Sequence, residues 1–162
     1  MSEENDIQSA LNSAYYFLKF RPRTKTEVER NLIKKGTKYK WSSSVIEKTL
    51  AHLEEVNMIN DRDFIEWFVS QRNKAKQKSN FALRNELMKH GVSKDLLDEY
   101  FSEHIQDEEE LGYQALQKKW IRFKHYDKPT RLKKSAAFLG SRGFSFDIIK
   151  KAMQRLEEDD NS

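Results

Sequence analysis

The sequence contains no cysteine. That one absence removes disulfide frameworks, thiolate nucleophiles and cysteine-bound zinc together. Two prolines and five glycines in 162 residues are too few turn formers for a chain of many β-hairpins. No apolar run approaches the roughly 20 residues of a membrane span. The opening Met1-Ser2-Glu3-Glu4-Asn5-Asp6 is acidic where a secretory signal carries bases, so a cytoplasmic protein without membrane contact is expected. Catalytic patterns are missing as well. The chain has neither H-E-x-x-H nor a phosphate loop of the G-x-x-x-x-G-K type. His52, His90, His104 and His125 are scattered without ligand spacing, and Glu54-Glu55 and Glu157-Glu158 fall on charged faces or ends. No catalytic residue, metal or cofactor is expected from this sequence, and an enzyme is the least favoured class.

What the chain does have is helix-forming composition, rich in Lys, Glu, Leu, Ala and Arg. Apolar residues make up 37% and charged ones 35%, which implies a thin core under a heavily charged surface. Three segments repeat one pattern: Trp41-Ser42-Ser43-Ser44-Val45-Ile46, Val92-Ser93-Lys94-Asp95-Leu96-Leu97 and Phe144-Ser145-Phe146-Asp147-Ile148-Ile149. Their serines lie 51 and 52 residues apart. Each serine suits a helix N-cap, with the preceding large apolar residue as a hydrophobic staple and two aliphatics opening a buried stripe. Gly36, Gly91 and Gly143 before them suit the left-handed residue that ends a helix. In the first copy the four residues Thr37 to Lys40 are read as a lengthened turn. A fixed period of this size means an array of small units that bury their apolar faces on one another.

Periodicity then predicts nine helices in three units. The repeats are placed at 8–57, 58–105 and 106–156, between disordered acidic ends at 1–7 and 157–162. In the first unit Leu11, Ala14, Tyr15 and Leu18 form one stripe. Pro22 breaks it. Thr24-Lys25-Thr26-Glu27 has the spacing of a capping box, and Val28, Leu32 and Ile33 follow as the inward face. Val45, Ile46, Thr49, Leu50 and Leu53 line the third helix. Asn57 suits a left-handed C-cap, and Asp61 suits a cap for the next helix. In the second unit the inward residues are Phe64, Trp67 and Phe68, then Leu83, Leu87 and Met88, then Leu96, Leu97, Tyr100 and Phe101. The third has Leu111, Ala115, Leu116 and Trp120, then Ala136, Phe138 and Leu139, then Ile148, Ile149, Ala152, Met153 and Leu156. The fold class is therefore all-α: three tandem three-helix, helix-turn-helix-like repeats forming an elongated array.

Net charge is only +4, but seven acids sit at the two ends without a base. The stretch 7–156 thus carries 30 bases against 19 acids, a net +11. Such a balance suits an anionic partner, nucleic acid or an assembly containing it, and suits equally a solvated lysine-rich surface. Two stretches concentrate the bases. Residues 72–78 hold four and no acid; residues 118–134 hold eight with one acid and the aromatics Trp120, Phe123 and Tyr126. Phosphate contact needs such charges. Trp120 and Phe123 themselves read as core residues at helical spacing.

The run Arg21-Pro22-Arg23-Thr24-Lys25-Thr26-Glu27-Val28-Glu29-Arg30-Asn31-Leu32-Ile33-Lys34-Lys35-Gly36 resembles the opening motif of the bacterial RecX family. Met58 to Arg72, Leu83 to Val92 and Arg142 to Ile149 resemble three later motifs of that family, in the right order, so that the resemblance covers about Ala10 to Leu156. Departures are Asn57 where glycine is frequent, Asn60 where aspartate is usual, Lys78-Ser79 in place of a glycine, and Gly140 inside a helix. The resemblance implies a non-catalytic, monomeric regulator of the RecA recombinase in DNA repair, recombination and the SOS response. Such proteins are curved, three-unit arrays that lie in the groove of the RecA–DNA filament and limit its extension and its recombinase, ATPase and co-protease activities. The expected partners are a RecA filament and, weakly and without sequence preference, single- or double-stranded DNA.

The candidate contact residues are Arg21, Arg23 and Lys25 in the first unit, Arg72, Lys74, Lys76, Lys78 and Arg84 in the second, and Lys118, Lys119, Arg122 and Lys124 in the third. Only Arg21, Arg23, Lys25, Arg72 and Arg84 lie within matched motifs; the others rest on charge. The alternative is a helix-turn-helix regulator reading duplex DNA. Against it, the helix that begins after Ser93 offers Lys94, Asp95, Asp98 and Glu99, a mostly acidic set for a groove.

Overall fold

The structure is a computed structural model and describes residues 2–162. All regular structure among them is helical: α1 Glu3–Leu18, α2 Lys25–Tyr39, α3 Ser43–Glu55, α4 Asp61–Ala75, α5 Asn80–Lys89, α6 Lys94–Glu103, α7 Glu108–Phe123, α8 Lys128–Ser141 and α9 Phe146–Asp160. The helices come in threes, as the period requires. The repeated serines cap: Val45 N–H donates to Ser42 Oγ at 3.2 Å, Leu96 N–H to Ser93 Oγ at 3.2 Å and Ile148 N–H to Ser145 Oγ at 3.3 Å. Trp41, Val92 and Phe144 before them are buried, the staple role. Thr24 and Glu27 complete the capping box at the start of α2.

The chain divides into two compact units, one of residues up to Trp67 with Leu87–Leu97, the other of Phe68–Glu86 with Asp98–Ser162. The division runs through α4, α5 and α6. In the first unit α1, α2 and α3 pack on one another around Ala14, Val28, Leu32, Val45, Leu50 and Leu53. In the second, α7, α8 and α9 do the same around Leu116, Trp120, Leu139, Phe144, Ile149 and Leu156. Each fully buried leucine contributes about 1.5–3 kcal/mol relative to exposure. Gly112 lets α7 approach α9, since a Cβ there would stand 2.8 Å from Ile148 Cγ2.

Consecutive repeats are joined by one device used twice, once within each unit. In the first unit the start of α2 is held by the repeat that follows it. Thr24 Oγ1 donates to the His90 carbonyl at 2.6 Å, Thr26 Oγ1 donates to the Gly91 carbonyl at 3.0 Å, and Lys25 N–H donates to Asp61 Oδ1 at 2.9 Å. In the second unit the start of α5 is held alike. Ser79 N–H donates to the Arg142 carbonyl at 3.1 Å and Asn80 N–H donates to Glu108 Oε1 at 2.6 Å. Both joints press on a left-handed glycine. A Cβ on Gly91 (φ +87°) would lie 2.3 Å from Thr26 Cβ, and one on Gly143 (φ +85°) 2.4 Å from Ser79 Oγ. Helix starts leave N–H groups without partners, and here the neighbouring repeat supplies carboxylates and a helix-end carbonyl to take them.

Several expectations change. Gly36 does not end α2; the helix runs one more turn to Tyr39, and Lys40 is the left-handed residue (φ 58°). Thr37 to Tyr39 are thus helix, not a lengthened turn. Lys40 is exposed, so its side chain meets none of the crowding that demands glycine at 91 and 143. Gly36 is instead a buried helical position beside Trp41 and Ile46. Asn57 is left-handed as expected, with φ 58°. Asn60, not Asp61, caps α4, taking the Asp63 N–H at 3.1 Å. Asp61 serves the joint, and its burial there raises its carboxyl pKa. Ile33 and Met88 are about half exposed; in each case the preceding leucine takes the inward position and the next residue turns 100° away. The ends expected to be disordered are helical over 3–7 and 157–160, while Met1 lies outside the described residues. Three acids in the first turn of α1 suit the helix dipole. Glu3 pairs with Lys48 of α3, and Asp159 and Asp160 take side-chain donors from α7.

Candidate anion-binding surface

The twelve nominated cations separate into two sets. Six are tied to acids of their own unit. Arg21 donates to Glu27 Oε2 at 2.5 Å and to the Pro22 carbonyl at 2.8 Å. Arg23 lies 3.9 Å from the same carboxylate, stacks 3.9 Å above the Phe17 ring and keeps only 15% of its side chain exposed. Its pKa is lowered by burial and then by the charge of Arg21. Burial works against the Glu27 charge, but the hydrogen bonds from Arg21 and from the Thr24 N–H outweigh it and hold that carboxyl below the usual range. Lys25 Nζ sits 2.6 Å from Glu54 Oε1, a hydrogen bond that raises the lysine pKa.

The second unit repeats the arrangement. Arg72 Nε donates to Glu86 Oε2 at 2.9 Å, Lys78 pairs with the other oxygen, and the Arg72 guanidinium stacks on Phe68 at 4.6 Å. Burial again opposes the charge of Glu86, and its two cations lower its pKa regardless. Arg84 pairs with Asp98. The matched-motif cations are therefore engaged first by acids within their own unit. Their acid partners Glu27, Glu54, Glu86 and Asp98 are the functional neighbours that charge counting missed. Only Glu27, four residues after Arg23, carried a sequence signal, the i,i+4 spacing.

The remaining six have no ion pair among the described residues: Lys74, Lys76, Lys118, Lys119, Arg122 and Lys124. Lys118 Nζ donates to the buried Gln77 at 3.3 Å, and Gln77 Nε2 in turn donates to the Asn73 carbonyl. That link brings the base-rich end of α4 beside α7, uniting two clusters 40 residues apart in sequence. Lys119 lies 5.7 Å from the Phe138 ring. Lys118 and Arg122 are one turn apart and exposed, as is Lys124. Lys128, Lys133 and Lys134, also of the base-rich stretch, extend the run onto α8. Trp120 and Phe123 belong to the third core as expected.

No group of three or more His, Cys, Asp or Glu among the described residues is placed to hold a metal ion, and no helix among them is long and apolar enough to cross a membrane. The fold and surface define a class: an all-helical tandem-repeat protein that presents a cluster of cations from one unit.

Comparison with known proteins gives the family. Residues 60–100 match the second three-helix domain of RecX and residues 107–153 the third. The chain is 32% identical to the regulatory protein RecX of Chlorobium phaeobacteroides over 94% of its own length and 97% of that protein's. It is 29% identical to the Bacillus subtilis RecX, covering 94% of this chain and 57% of that longer one. The crystal structure of RecX from Lactobacillus salivarius superimposes with a TM-score of 0.78 at 24% identity, over 95% of this chain and 98% of that one. The chain belongs to the RecX family of regulatory proteins.

Proposed function

We propose that this protein binds the RecA–DNA filament and restrains it, acting in the cytoplasm as a monomer and by contact rather than by catalysis. The observation that carries the reading is the acid-free set Lys74, Lys76, Lys118, Lys119, Arg122 and Lys124, drawn to one unit by the Lys118–Gln77 link, in a chain of the RecX family. Exposed ammonium and guanidinium groups exchange counterions with a polyanion and give affinity without sequence preference. Arg21, Arg23, Lys25, Arg72, Lys78 and Arg84 then act chiefly by fixing the presenting surfaces. A duplex-reading helix-turn-helix finds less support. The third helix of the middle repeat exposes Lys94, Asp95, Asp98 and Glu99, and Asp98 is held by Arg84.

The test is RecA strand exchange and DNA-dependent ATPase with stoichiometric protein. Inhibition by the natural chain, and weaker inhibition by K74Q/K76Q, is the expected result. An unchanged RecA reaction defeats the proposal. A footprint at one preferred duplex site establishes the helix-turn-helix reading instead.

A further inference from the structure

The last turn of α9 is unusual for its charge. Glu157, Glu158, Asp159 and Asp160 stand at the negative end of the helix dipole with no base in that turn, an arrangement that costs rather than gains free energy. It is held from outside. Trp120 Nε1 donates to Asp160 Oδ2 at 2.7 Å, Tyr113 Oη donates to Asp159 Oδ2 at 2.7 Å, and Arg131 Nη2 lies 3.2 Å from Glu157 Oε1. Together with Lys124 and Asn161, three of these residues and Arg131 line an open cleft of about 210 Å³: Trp120, Glu157 and Asp160.

Donors and cations therefore converge here from α7 and α8, and the groups that meet them are the chain's own carboxylates. The exposed bases do not stop at the cleft. Lys118 and Arg122 lie on α7 ahead of its C-cap Lys124, and Lys128 opens α8, exposed like them. A ligand that satisfied the whole run would need negative charge at regular intervals along an extended chain.

We propose that Trp120, Lys124 and Arg131 form one end of a site for a single-stranded phosphodiester backbone, and that the acidic last turn of α9 occupies it as an internal competitor. The carboxylates of Glu157 and Asp160 stand where phosphate oxygens would sit. Binding of the backbone displaces them, so the measured affinity of the chain is lower than its cations alone would give. This rests on the nucleic-acid contact in the proposed function, but it is read on the isolated protein without RecA.

The probe is a fluorescent single-stranded oligonucleotide, titrated by anisotropy at several salt concentrations. The variant E157Q/D159N/D160N keeps one side-chain acceptor oxygen at each position and loses the charges. It is expected to bind about tenfold tighter at low salt. Freeing Arg131 from Glu157 adds one phosphate contact, so its log–log salt slope steepens by about 0.7. Adding Arg131→Gln to that variant reverses the steepening, and thermal melts show that each variant folds. If the triple variant binds with unchanged affinity and slope, or if neither protein binds the oligonucleotide, the proposal is overturned. In the second case RecA inhibition, measured separately, still decides the proposed function.

Discussion

Two glycines of α8 and its end, three residues apart, make opposite predictions. Gly143 is left-handed, and an added Cβ would lie 2.4 Å from Ser79 Oγ and 2.7 Å from Ala82 Cβ. Gly143→Ala combines a left-handed penalty with overpacking, and should cost about 2–5 kcal/mol. Gly140 lies within the helix with nothing inside 4 Å of such a Cβ. Gly140→Ala should stabilise by about 0.5–1 kcal/mol through helix propensity. Denaturant melts of the two variants are expected to move in opposite directions. Glu27 supplies a second prediction at this scale. Its folded pKa is lowered, so its contribution is complete above the unfolded value near 4.3 and is lost as pH falls through the folded one. Glu27→Gln should be less stable than the natural chain at neutral pH. The difference should shrink on acidification below about pH 4.3, as followed by thermal melts across pH. A difference that stays constant with pH would remove the ionic role of Glu27.

At the scale of the helices, most of the plan was legible because it is written locally. Ser42, Ser93, Ser145 and Thr24 cap because a hydroxyl at the right offset from an apolar stripe has few other uses. The inward stripe of α3 was read without error for the same reason: Val45, Ile46, Thr49, Leu50 and Leu53 are all buried. The misreadings concern what lies across space. Gly36 looks like its counterparts in sequence, but the left-handed residue sits four positions on, because only 91 and 143 are pressed by a neighbouring repeat. Asp61 has the residue type and place of a cap, yet serves the start of α2, 36 residues earlier in the chain. The matched-motif cations are visible as charges, while their acid partners other than Glu27 are not: Glu86 lies 14 residues from Arg72, and Glu54 lies 29 from Lys25. The acidic ends read as disorder because composition alone cannot show Lys48 opposite Glu3, or Tyr113 and Trp120 opposite Asp159 and Asp160.

For the whole molecule, the excess of positive charge between residues 7 and 156 is partly spent internally. Oligonucleotide binding should therefore depend on the unpaired cations more than on the total. K74Q/K76Q removes two of them and should flatten the salt slope on single strands by about 1.4. Arg84→Gln, by contrast, removes a cation already paired with Asp98, and should change the slope little while lowering the melting temperature. Equal effects of the two variants on the slope would mean that net charge alone governs binding.

The Lys25 and Asn80 amides open their helices, a position where protons normally exchange quickly with water. Each is instead bonded to a carboxylate of the following repeat, Asp61 or Glu108. They are thus built-in gauges of coupling, able to signal when one link loosens while the helices on either side stay wound. In hydrogen-exchange spectra both should be slower than the Lys128 amide at the start of α8, and each should speed up on its own when its acid is replaced.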